Sequence, residues 1–215
     1  MPDAERQSAS EGQPERSHKQ AQMDRVAAEV AQLTESPLYE YRVREGYKPV
    51  IGTGDLNAQI MFVGEAPGKQ EATSGEPFVG AAGRILDELF ASIGLSRNDI
   101  YITNVVKDRP PDNRDPSAPE IALYAPFLAR QIEIIRPRVI ATLGRFAMNF
   151  MLDYFGLDEA GATIGDLHGK PISAGAPYGP VTLVPLYHPA STFYRRELRA
   201  VLEEDFQVLK QVSIK

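Results

Sequence analysis

The sequence predicts an α/β protein in which a small, mostly parallel sheet is covered by helices on both faces. Three observations carry that prediction. Short apolar, β-rich runs, QIMFV (59–63), IYITNVV (100–106), VIATL (139–143) and VTLVPLY (181–187), show no clean polar alternation, as expected of strands buried on both faces. Between them lie apolar stripes at three- and four-residue spacing, the pattern of one helix face. The chain has 215 residues, 43% of them hydrophobic, enough to bury a core within one domain. Strands that alternate with helices are joined by crossovers, which leave neighbouring strands parallel.

From the N-terminus, MPDAERQSASEGQPERSHKQ is polar, of mixed charge and almost without large apolar residues. Residues 1–20 are therefore expected to be a disordered tail, with 21–215 as the folded domain. His18 falls in that tail and is discounted. Met23, Val26, Val30 and Leu33 then recur at helical spacing, and the helix should end near Ser36-Pro37. After the first strand, GEAPGKQEATSGEPFVGAAG (64–83) is dense in glycine and proline and leads into the stripe Ile85, Leu86, Leu89, Phe90 and Ile93. The stretch is not a Walker A loop, which needs four residues between its glycines and then Lys with Ser or Thr; GEAPGKQ has three and then Gln. It is not a dinucleotide fingerprint either, because GAAG lacks the first glycine of the triplet and a strand immediately before it. The second strand runs into the rigid polar loop KDRPPDNRDP, ahead of the stripe Ile121, Tyr124, Leu128, Ile132 and Ile135. The fourth runs into HPASTFYRRELR and a last stripe, Leu198, Leu202, Phe206 and Leu209.

Composition excludes several chemistries. A formal charge of −6 argues against gripping nucleic acid through bulk positive charge, so any such binding must come from local patches. The chain has no cysteine, which removes disulfides, thiolate nucleophiles, zinc-thiolate sites and iron-sulfur clusters together. Neither histidine after the tail sits in a metal-binding spacing. The N-terminus lacks the apolar core of a signal peptide and no apolar run approaches membrane-spanning length. A cytoplasmic protein with no membrane partner and no cofactor is expected.

In such a fold, ligand-binding groups collect on loops leaving the C-terminal ends of strands. Glu65 directly follows a buried strand on a loop that Pro67 and Pro77 stiffen, and it is read as a functional carboxylate in preference to a solvated turn residue. Phe78, among glycines, suits a ligand face and a core contact equally. Asn104 closes an apolar strand, where its amide must find partners, either loop backbone or ligand. Lys107 follows in the same loop as a further candidate for chemistry. His188, held extended by Pro189, ends the fourth strand on the rim where Glu65 and Asn104 should converge. His168, in DLHGK, is given a minor role at most. Asp108 stands out as a carboxylate with no evident task.

Five segments, GEAPG after a strand, GEPFVGAAGRIL, YITNVVK.RPP.NR.P, PFLARQIEIIRP.VIATLG and HPA...Y...LR..L..DF, occur in order from about Ser36 to Lys210. Together they resemble the family 4 uracil-DNA glycosylases. The resemblance implies a three-layer α/β/α fold with a small parallel sheet, a monomer, and excision of uracil from double- or single-stranded DNA. It also exposes a departure. That family holds an iron-sulfur cluster on four cysteines, and the corresponding positions here are Leu33, Ser36, Asp108 and Tyr124. Asp108 then replaces a cluster ligand, and if buried it must be paired; Arg42, Arg109 and Arg114 are the candidate partners.

By the same resemblance, Glu65 and His188 are catalytic, Phe78 stacks on the flipped base, Asn104 reads its edge, and Gly64 to Gly68, with the small Ala66, form the pocket floor. Lys107, Arg195, Arg196 and Arg199 would meet DNA phosphates, while Phe193 and Tyr194 would wedge into the base stack. These last residues read equally as a solvated helix start with its aromatics packed inward. A glycosylase for hypoxanthine or xanthine, and a binder of uracil-containing DNA without turnover, are the alternative functions.

Overall fold

Six strands hydrogen-bond into one sheet: β1 (Thr53–Gly54), β2 (Ile60–Gly64), β3 (Tyr101–Asn104), β4 (Val139–Leu143), β5 (Ile172–Ala176) and β6 (Gly179–Leu186). The structure, a computed structural model, describes the backbone of residues 3–213 and the side chains of residues 15–212. The strand order is β1-β3-β2-β4-β6-β5. The four inner strands are parallel, and the two edge strands β1 and β5 run antiparallel to their neighbours. The helices are α1 (Asp3–Ala31), α2 (Tyr39–Glu45), α3 (Lys69–Ser74), α4 (Ala81–Ser92), α5 (Ala118–Ile135), α6 (Arg145–Phe155), α7 (Ile164–Leu167) and α8 (Leu198–Ser213).

Side chains of successive strand residues point to opposite faces, and this divides the core in two. Met61 and Val63 of β2, with Tyr101, Ile140 and Leu183, pack under Val26 and Val30 of α1, Leu128 and Ile132 of α5, and Met148 of α6. Ile60 and Phe62, with Ile102, Ala141 and Val184, pack under Leu86, Leu89 and Phe90 of α4 and Leu202 and Phe206 of α8. The result is the expected three-layer arrangement. Each of the five residues of β2 is buried, which explains the missing alternation.

The expectations differ from the structure at the periphery. The helix expected from Met23 to about Ser36 is α1, which begins at Asp3 and ends at Ala31. Its backbone thus covers most of the segment 1–20 expected to be disordered. Apolar patterning starts only at Met23, but the Ala-, Glu- and Gln-rich residues before it are good helix formers, and Lys19 Nζ donates to Asn57 Oδ1 at 2.8 Å. The edge strands β1 and β5 carry no apolar run. The second expected strand is shorter than 100–106, because the chain leaves the sheet after Asn104. That departure places the C-terminal ends of β2, β3 and β6 around one opening.

Candidate active site

Gly64, the last residue of β2, is paired with Asn104, the last of β3. A Cβ on Gly64 would lie 2.3 Å from Asn104 Oδ1 and 2.7 Å from the Phe78 ring. Only glycine therefore lets the three segments converge. The next residue, Glu65, has its backbone carbonyl bonded by Val106 N–H at 3.0 Å, which fixes the chain while its half-buried side chain lines the opening. Its carboxylate has no hydrogen-bond partner among the described residues. Burial pushes its pKa up to about 7; Asp115 adds to the rise and Arg145 opposes it.

Phe78 holds a left-handed backbone, φ 54°, a costly state for a bulky residue. Arg97 secures it by donating to the carbonyls of Phe78 at 2.5 Å and Pro77 at 3.0 Å. The Phe78 ring both joins the core beneath α4 and faces the opening, with its centroid 5.8 Å from that of His188. The ring thus makes the core contact and also lines the opening. Asn104 is 2% exposed, lines the same opening, and its side-chain amide has no protein partner among the described residues. The expectation that loop backbone might occupy that amide is not met.

His188 follows β6 and caps the 3-10 turn Pro189–Phe193. Its Nδ1 accepts from Ala190 N–H at 3.1 Å, so in the neutral ring the proton resides on Nε2. Burial lowers its pKa to about 4, against the upward pull of Glu71. The ring is therefore a neutral donor across the physiological range. Together with Ala66, Gly68 and Tyr194, these groups bound a cavity of about 640 Å³. Glu71, Asn113 and Asp115 also line it, and sequence reasoning did not single them out. Their signal was location alone, in the glycine-rich loop and in RPPDNRDP.

The residues expected at DNA divide. Phe193 and Tyr194 are 52% and 88% exposed, so they are not packed inward. Arg196 is exposed, and its guanidinium has no partner among the described residues. Arg195 pairs with Glu197 at 3.0 Å, and Arg199 with Glu88 at 2.8 Å and Glu203 at 2.7 Å. Lys107 is a correction: it is fully buried, its amine bonded to Thr103, Asn104 and Gln131, and it cannot meet phosphate. His168 pairs with Asp205 at 2.9 Å.

The four positions that the resemblance assigns to cluster ligands, Leu33, Ser36, Asp108 and Tyr124, are built differently here. Arg42 Nη1 donates to both oxygens of Asp108, at 3.0 and 2.8 Å, and Tyr124 donates to Asp108 Oδ2 at 2.6 Å. Ser36 Oγ lies 2.8 Å from the Tyr124 hydroxyl. Arg42 also donates to the carbonyls of Val30 and Ala31 at the end of α1. Leu33 packs against the core beside them. Of the candidate partners, Arg42 is the one that meets Asp108; Arg109 donates to Asn113 and Tyr41, and Arg114 to Glu120. Hydroxyls, one carboxylate and a guanidinium in mutual contact offer no thiolate, and an iron-sulfur cluster does not fit them.

Residues 51–210 match the family model described as the uracil DNA glycosylase superfamily. The type-4 uracil-DNA glycosylase of Archaeoglobus fulgidus is 43% identical over 190 residues, covering 88% of this chain and 92% of the relative. That of Saccharolobus solfataricus is 44% identical over 191 residues, 88% and 85% of the two chains. That of Thermotoga maritima is 40% identical over 190 residues, 87% and 93%. With the strand ends, the opening and the matched span in agreement, the chain belongs to the uracil-DNA glycosylase superfamily.

Proposed function

We propose that the protein is a uracil-DNA glycosylase of the type-4 kind that works without an iron-sulfur cluster, taking a uracil nucleotide out of the DNA stack into the cavity and hydrolysing its N-glycosidic bond. The observation that carries this reading is the Asn104 amide, set in the cavity wall with no protein partner. Its carbonyl accepts from uracil N3–H while its NH2 donates to O4; cytosine presents the reverse pattern and leaves groups unpaired, at about 1–3 kcal/mol each. Phe78 offers a stacking face worth about 1–3 kcal/mol per base. The small Ala66 leaves only weak discrimination against the thymine methyl.

Cleavage breaks the C1′–N1 bond with the electron pair leaving on the base, and positive charge develops on the sugar. His188 Nε2–H donates to uracil O2 as negative charge gathers there. Glu65, ionised, stabilises the sugar cation and orients the water that adds to C1′; it takes the proton that this water loses. The backbone from Gly64 to Gly68 forms the floor. Arg196, and Arg195 and Arg199 after exchange of their carboxylate partners, meet phosphates beside the extruded nucleotide in this reading, with Tyr194 and Phe193 as wedges; the exposure of Phe193, Tyr194, Arg195 and Arg196 supports it. The same reading takes residues 21–215 as one catalytic domain, monomeric and cytoplasmic.

Hypoxanthine presents the same carbonyl and N–H edge to Asn104, so the test carries both bases. Oligonucleotides with one uracil, hypoxanthine, xanthine or cytosine are incubated with the protein and cleaved with alkali. Strand scission at uracil, lost in Asn104→Ala while undamaged DNA still binds, is the expected result. Scission at hypoxanthine or xanthine alone, or retention of uracil-DNA without scission, would replace this reading with a shifted specificity or a binding protein.

A further inference from the structure

Lys107 leaves β3 with the polar loop, yet its side chain turns back beneath the strand end and is fully buried. Its Nζ lies 2.6 Å from the Asn104 carbonyl oxygen, 2.7 Å from Thr103 Oγ1 and 2.5 Å from Gln131 Oε1. None of these partners is charged. Burying an amine among neutral groups disfavours its ammonium form, and its pKa is lowered well below the ordinary value by that burial.

The surrounding network closes in either protonation state. As ammonium, Lys107 gives its three hydrogens to the three acceptors, and the Thr103 hydroxyl donates to the Ile51 carbonyl at 2.6 Å. As a neutral amine, it gives two hydrogens to Asn104 and Gln131, and the Thr103 hydroxyl turns to the amine lone pair. Ile51 then keeps the bond from Gln131 Nε2 at 2.9 Å. The Asn104 carbonyl keeps its donor in both patterns. Lys107 therefore ties the backbone of Asn104 to α5 and to the segment at Ile51, whatever its charge.

We propose that Lys107 is a positioning residue for base recognition: it fixes the backbone of Asn104 and so aims an amide that no protein hydrogen bond holds. The proposal rests on Asn104 reading the base. Its physical force lies in the crowding at Gly64, where the amide oxygen leaves no room for even a methyl group, so a small rotation of the Asn104 backbone moves the amide against the neighbouring strand or out of register with the base.

Lys107→Met keeps length and volume but has no donor. Single-turnover uracil excision should fall about 10²-fold, the effect of a misplacement near 1 Å. Affinity for undamaged DNA and its salt dependence should be unchanged, because no phosphate contact is lost. Thr103→Val removes one acceptor of Lys107 but leaves its bond to Asn104, so it should melt at lower temperature and excise uracil at the wild-type rate. Wild-type excision by Lys107→Met, or equal loss of excision in both variants, would overturn the proposal. Should Lys107→Met not fold, the wild-type protein labelled with 15N-lysine decides: free uracil should shift the Lys107 Nζ signal, and an unmoved signal would refute the role. A wild-type protein that releases no uracil strikes the glycosylase reading itself, whereas an active wild type beside an equally active Lys107→Met strikes only Lys107.

Discussion

In the proposed mechanism two side chains set the chemistry, and they respond to burial in opposite ways. Glu65 is raised to about 7 and His188 lowered to about 4, so between these values the histidine is neutral while the carboxylate titrates. The proposed mechanism needs Glu65 ionised, so the rate should rise with pH up to about 7 and then level, with no second limb from His188 above about 4. Removing the negative neighbour in Asp115→Asn should move that rise to lower pH; a profile that stays in place would separate Asp115 from Glu65. The same raised pKa has a stability consequence. A carboxyl whose folded pKa exceeds its unfolded value contributes most below the unfolded pKa, and the contribution is lost as pH rises through the folded one. Glu65→Gln should therefore raise the melting temperature more at pH 8 than at pH 4. Glu65, Asn104 and His188 were legible in the sequence because each is a polar residue at the end of a buried strand. Lys107 was misread because composition cannot say whether a lysine after a strand points out or folds back. Its partners Asn104 and Thr103, three and four residues earlier, mark a return turn that no periodicity signals.

At the scale of elements, the network of Arg42, Asp108, Tyr124 and Ser36 joins the end of α1, α2, the loop after β3 and α5. Asp108 is buried, which raises its pKa, while the Tyr124 hydroxyl and the Arg42 charge pull it back down. Asp108→Ala leaves the Arg42 guanidinium buried without its partner and should cost about 3–5 kcal/mol in urea unfolding. Tyr124→Phe leaves hydrogen-bonding groups of Asp108 and Ser36 unmet and should cost about 1–3 kcal/mol. Losses below about 0.5 kcal/mol in both would mean that the network does not hold these elements. The anchored loop continues into the cavity wall, since Arg109 donates to Asn113 at 2.9 Å and to Tyr41 at 2.8 Å. Helices α4, α5 and α8 were legible from their stripes. The edge strand β5, ISAGA, buries only Ile172, its one large apolar side chain, and otherwise alternates exposed and half-buried residues; it forms because β6 offers an open edge.

Across the whole molecule, net charge and local charge point in different directions. The chain carries −6, yet the cavity mouth is followed by Arg195, Arg196 and Arg199 within five residues of sequence. Few phosphate contacts imply modest affinity and a shallow salt slope, so selectivity rests on the cavity. The layered fold was legible because its four inner strands and three of its helices are defined by burial alone. The anchor at Asp108 was legible only in part: the absence of cysteine is a matter of composition, but the pairing of Asp108 with Arg42, 66 residues apart, is set by tertiary packing. Excision of uracil by this cavity, with no cluster behind it, is the proposed activity. Its most direct test is single-turnover release of uracil from a uracil-containing oligonucleotide by protein dialysed against a strong chelator and assayed for iron. Excision at an undiminished rate by colourless, iron-free, folded protein is predicted; stoichiometric iron, or loss of excision or of folding on chelation, would contradict it.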